Sequence, residues 1–103
     1  MEIITTKLNP VIAVTLRKTE GMEPRPIIIL CHGFCGIQPI LVPAYAEEFT
    51  RAGFTTLTFD YRGFGDSDGE RGRLVPAMQI EDIHSVIVWA KQQPGVDAAR
   101  LGL

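Results

Sequence analysis

Apolar positions along this chain change rhythm several times, and each rhythm predicts a different element. Residues 3–8 and 11–17 are rich in β-branched side chains and flank Asn9-Pro10, a turn dipeptide, so they predict a β-hairpin. A second turn over 19–24 leads into Ile27-Ile28-Ile29-Leu30-Cys31. That run is too short for a helix and strongly β-branched, which predicts a strand buried on both faces.

Helical spacing comes next. Pro43 opens a predicted helix over 43–52 that Gly53 stops, with Leu41, Tyr45, Phe49 and Ala52 on one face. Residues 54–59 return to a strand pattern. A second helix is predicted over 76–93, opened by Pro76 and ended by Pro94-Gly95. Its expected buried stripe is Ile80, Ile83, Ile87 and Ala90 with Val86 beside them, leaving Glu81, Asp82, Lys91 and Gln92 to solvent. Hairpin, strand, helix, strand, helix is the order of an α/β fold with parallel β-α-β-α units. Residues 100–103 look like the start of a further strand, on which the chain stops without turn or cap. No repeat, low-complexity tract or linker divides residues 1–103.

Composition narrows the classes of function. At 103 residues the chain is at most one small domain. A net charge of -2 without any basic run gives no electrostatic case for nucleic acid or an anionic membrane. No apolar run approaches the roughly 20 residues of a membrane span, and the first residues lack a secretory pattern, so a cytoplasmic location is expected. Cys31 and Cys35 flank His32-Gly33-Phe34, but the spacing is not a usual zinc pattern and two further ligands would be needed. They are expected as free thiols, with no metal.

Candidate chemistry gathers in two loops. The stretch Gly65-Asp66-Ser67-Asp68-Gly69 is a literal G-x-S-x-G. A nucleophile elbow, however, needs its Ser on a tight turn directly after a strand, with a helix straight behind it. Here the strand pattern ends at Phe59, loop residues 69–73 follow, and Asp66 and Asp68 oppose alkoxide formation. Ser67 is therefore expected to bond local backbone. His32-Gly33-Phe34-Cys35-Gly36 stands where a buried strand ends. Glycines there let the backbone turn sharply and aim N–H groups at one point, a means of stabilising an oxyanion. His32 is expected to brace that loop, Asp60 and Arg62 to serve a hydrogen-bond or ion-pair role at a strand end, and His84 to lie at the surface or core edge. No Gly-Lys-Ser/Thr follows the second glycine-rich loop, and its glycines do not lead directly into a helix. A P-loop is excluded and a dinucleotide fingerprint is weak.

H-G-F-x-G after one strand, together with D-x-R-G-x-G-x-S after the next, resembles the α/β-hydrolase superfamily. The nearest likeness is to its serine-aminopeptidase, monoacylglycerol-lipase and dienelactone-hydrolase-like branch. Residues 94–103 also look like that family's lead-in to the strand carrying the nucleophile. The resemblance covers essentially the whole chain but only the amino-terminal part of the family fold. It implies that the Phe34 backbone N–H forms half of an oxyanion hole and that His32 and Gly33 shape that turn. Asp60, Arg62, Gly63, Gly65 and Ser67 then match a bracing loop. The implied nucleophile lies in a later G-x-S-x-G, with the acid and His later still. The implied activity is hydrolysis of an ester, amide or related acyl bond on a small-molecule substrate, with no cofactor.

This chain alone would then be nearly inactive, and its uncovered sheet edge would favour self-association. A truncated, non-catalytic α/β chain with a binding role is the alternative. A small flavodoxin-like domain is disfavoured by the opening hairpin and the missing phosphate loop.

Overall fold

The computed structural model describes residues 1–9, 11–19, 21, 23–33, 37, 39 and 41–103. Five strands and two helices follow in the order β1 (Glu2–Leu8), β2 (Ile12–Lys18), β3 (Arg25–Leu30), α1 (Val42–Arg51), β4 (Thr55–Phe59), α2 (Pro76–Lys91) and β5 (Val96–Gly102). They build one sheet of order β1-β2-β4-β3-β5. The hairpin forms as expected, with Asn9 in the left-handed region and the Val11 N–H donating to the Leu8 carbonyl at 2.8 Å.

β3 pairs parallel with β4 on one side and with β5 on the other. The hairpin joins through an antiparallel β2–β4 pairing, which makes the sheet mixed. Residues 96–102 all belong to β5, so that strand starts earlier than the sequence pattern indicated.

The register assigns the two faces. Val14 and Leu16 of β2 lie across from Phe59 and Leu57 of β4, and Leu57 lies across from Ile29 of β3. With Ile27, Val86 and Ala90 they form the fully buried core beneath α2. Each of these side chains larger than Ala90 contributes about 1.5–3 kcal/mol by leaving water. The opposite face is threonine-rich: Thr50 of α1 bonds the Ala46 carbonyl at 2.7 Å and the Thr56 hydroxyl at 2.9 Å. Thr56 and Leu57 point oppositely along β4, so α1 and α2 cover opposite faces. Gly53 ends α1 as expected, by a Schellman motif: its N–H reaches the Thr50 carbonyl and the Phe54 N–H reaches that of Phe49.

Both helices are rotated relative to the expected stripes. In α1 the fully buried residues are Ala46 and Thr50, while Tyr45 is exposed, as is Leu41 before the helix. In α2 they are Asp82, Val86 and Ala90, while Ile80 is 68% exposed. The i, i+4, i+8 line through Asp82 is what faces the sheet, because Arg62 meets the carboxylate there.

Candidate active-site edge

Open α/β sheets bind ligands beyond the carboxyl ends of their parallel strands. At that edge β3 delivers Cys31, His32 and Gly33, and β4 delivers Asp60, Tyr61 and Arg62. The two segments are stitched to one another. The Tyr61 hydroxyl donates to the Cys31 sulfur, and the His32 imidazole donates to the Phe59 carbonyl. Burial pushes the Tyr61 phenol up to about 12, helped by the neighbouring Cys31. Loss of solvent also raises the Cys31 thiol, against the lowering effect of the Tyr61 bond, although Cys31 as a residue is exposed. It is therefore a protonated thiol rather than a ready nucleophile.

His32 is held below its ordinary range by burial, only partly countered by the Asp60 charge and the Phe59 carbonyl. Its interaction with the Phe59 carbonyl ties the loop after β3 to the end of β4, while Nε2 is buried without a partner among the described residues. This is the bracing role expected of it. Phe34, the expected oxyanion donor, lies outside the described residues, as do Cys35 and Gly36.

Ser67 is 1% exposed. Its hydroxyl accepts from the Ala13 N–H at 2.9 Å and donates to the Asp60 carbonyl at 2.5 Å. The hydroxyl thus joins β2 to the loop after β4, with its proton already committed. The surrounding loop is tied down along its length. Asp66 N–H donates to the Asp60 carboxylate at 3.0 Å, Asp68 N–H to the Val11 carbonyl at 2.9 Å, and Arg71 to the Gly65 and Ser67 carbonyls. Gly65 has φ +52°, and a Cβ there would sit 2.4 Å from the Asp60 carboxyl carbon. The glycines of this G-x-S-x-G therefore make room for a folded loop rather than for a substrate.

Arg62 does not pair with Asp60, its sequence neighbour. Its backbone N–H and Nε both donate to Asp82, at 2.9 and 2.5 Å, and Nη2 reaches Glu81 and the Met78 carbonyl. Asp82 is 2% exposed, so sequence reasoning that left it in solvent missed the tie between this loop and α2. The available signal was its spacing from Val86 and Ala90. His84 is exposed on α2. Among the described residues no group of His, Cys, Asp or Glu is arranged to hold a metal ion, and no helix is long and apolar enough to cross a membrane.

A mixed sheet with two braced loops at its carboxyl edge agrees with what comparison finds. The family model of the serine aminopeptidases, S33, matches residues 22–102. The chain belongs to this α/β-hydrolase family. A 31.7 kDa protein in the traX-finO intergenic region of Escherichia coli is 62% identical over all 103 residues, which make up 36% of that protein. Thiohydrolase aneE of Aspergillus aculeatus is 38% identical over 84 residues, covering 81% of this chain and 26% of that protein. The crystal structure of the α/β-hydrolase GrgF from Penicillium superposes with a TM-score of 0.84 at 28% identity, covering 97% of this chain and 35% of that one. The chain thus spans about a third of the length of the curated relatives it matches. In family terms, the described residues supply an amino-terminal portion of the fold.

Proposed function

We propose that this chain is the amino-terminal part, carrying the oxyanion loop, of a serine hydrolase acting on ester, thioester or related acyl bonds. The carrying observation is that Ser67, within the chain's only G-x-S-x-G, is buried with its hydroxyl bonded on both sides. A nucleophile must then come from elsewhere, and the family match supports a Ser following β5. That Ser would attack the acyl carbonyl and expel the alcohol, thiol or amine, leaving an acyl-enzyme for water to open. The Phe34 N–H would bind the oxyanion together with the N–H after the nucleophile. The chain by itself supplies no triad and has negligible turnover. The name of the thiohydrolase relative is the ground for including thioesters among the substrates. β5 forms one edge of the sheet, so self-association of the isolated chain through it is part of the proposal and is checked by sedimentation.

The test uses the polypeptide read through beyond Leu103. A G-x-S-x-G is expected within about ten residues, with Asp and His later in the sequence. In that protein Phe34→Pro, which deletes one N–H, should lower kcat on nitrophenyl esters about 10²–10³-fold with little change in KM. Unchanged kcat would refute the oxyanion role, and absence of the motif would refute the serine mechanism.

A further inference from the structure

β1 is an edge strand whose outer side is open along its length. Its sole strand neighbour among the described residues is β2, and the two pair in unbroken register from Glu2↔Lys18 to Leu8↔Ile12. Ala13 fixes which backbone groups of the hairpin point where. Its carbonyl accepts from the Asp60 N–H at 3.0 Å and its N–H donates to Ser67 Oγ, so Ala13 aims both groups at the β4 side. In an antiparallel ladder these directions alternate along a strand, so the even-numbered residues of β2 point theirs at β1. They meet the even-numbered residues there, which leaves Ile3, Thr5 and Lys7 with N–H and C=O groups turned out of the sheet. No proline, glycine or bulge blunts this edge. Lys7, a residue type that often does so, has its charge paired with Asp68 at 3.3 Å.

We propose that this edge binds a second copy of the chain, β1 against β1, antiparallel about a two-fold axis through Thr5. The outward groups lie symmetrically about Thr5, so this register alone joins every one of them. Ile3 pairs with Lys7 of the second copy, Thr5 with its own counterpart, and Lys7 with Ile3, each pair exchanging its backbone bonds. Directly opposed side chains share a face of the sheet. The aliphatic stem of Lys7 therefore lies over Ile3, which is 55% exposed in the single chain, and the two Thr5 side chains meet. Glu2 lies across from Leu8, so no like charges oppose. That self-complementarity favours a second copy over an unrelated strand. β1 and β5 are opposite edges of the sheet, so this pairing leaves β5 free and does not depend on the hydrolase reading.

The experiment is amide hydrogen exchange in β1, followed by nitrogen-15 NMR at two concentrations of the chain. An interface of one strand pair is small, so a dissociation constant on the order of 0.1 mM is expected. Exchange at Ile3, Thr5 and Lys7 should then be about fivefold slower at about 2 mM than at about 0.02 mM. Ile4 and Thr6, bonded to β2, should be protected at both. Thr5→Pro removes the central outward N–H at a place where an edge strand tolerates proline. It should abolish the concentration dependence at Ile3 and Lys7 while Ile4 and Thr6 stay protected. Association through β5 instead would leave the three outward amides exchanging at one rate at both concentrations, and that result would overturn the proposal. Free exchange at Lys7 beside protection at Ile3 and Thr5 would overturn the register. Concentration dependence that persists in Thr5→Pro would overturn the pairing.

Discussion

Asp82→Ala is the substitution expected to damage this chain most without touching its apolar core. Asp82 is 2% exposed and takes two hydrogen bonds from Arg62, whose side chain is itself only 27% exposed. Removing the carboxylate strands a backbone N–H and leaves the guanidinium paired only with exposed Glu81 and the Met78 carbonyl. Breaking a buried pair from one side costs about 3–5 kcal/mol, and the partial exposure of Arg62 brings the expectation to about 3 kcal/mol. Asp82→Asn keeps one acceptor and should lose about 2 kcal/mol. The reference is Glu48→Ala, which removes an exposed ion pair with Arg51 and should cost less than about 1 kcal/mol. Urea unfolding reports all three through Trp89, the only tryptophan, which packs against the core from α2. If Asp82→Ala and Glu48→Ala have equal stabilities, the Arg62–Asp82 tie does not hold the loop to the helix.

Two further outcomes follow from the same edge. Gly65→Ala should destabilise by at least 2 kcal/mol more than Gly72→Ala, because a Cβ at 65 strikes Asp60 while one at 72, also at positive φ, meets open space; equal thermal shifts would show that the loop yields. His32 is held neutral by the fold, so the unfolded chain binds a proton first and stability should fall as pH drops below the ordinary imidazole value of 6.5. That component should vanish from thermal melts of His32→Gln, and an unchanged acid slope in the variant would contradict it.

Much of the fold was legible because backbone punctuation dominates it. Asn9, Pro43, Gly53, Pro76 and Pro94-Gly95 delimit the hairpin and both helices where φ preferences demand, and the apolar run at 27–31 predicted the central strand that forms over Arg25–Leu30. The helix faces were misjudged for one reason: counting apolar residues rewards Ile80 and Tyr45 and penalises Asp82 and Thr50. Those two polar side chains are buried because Arg62, and Thr56 with the Ala46 carbonyl, satisfy them; the Arg62 partner is 20 residues from Asp82, and the Thr50–Thr56 bond forms only once α1 packs on β4. The site was legible in the same uneven way. The objection to Ser67 came from turn chemistry and flanking charge, whereas its actual partners, Ala13 and the Asp60 carbonyl, depend on how the hairpin docks on β4.

The central claim is that Ser67 holds the loop together and is not the nucleophile. Fluorophosphonate labelling followed by peptide mass spectrometry addresses it directly, since the reagent forms an adduct only with an activated, accessible hydroxyl. No adduct on Ser67 is predicted for this chain, and Ser67→Ala should lose about 2–3 kcal/mol of stability through the two buried bonds it breaks. A stoichiometric adduct on Ser67, absent from Ser67→Ala, would contradict the account.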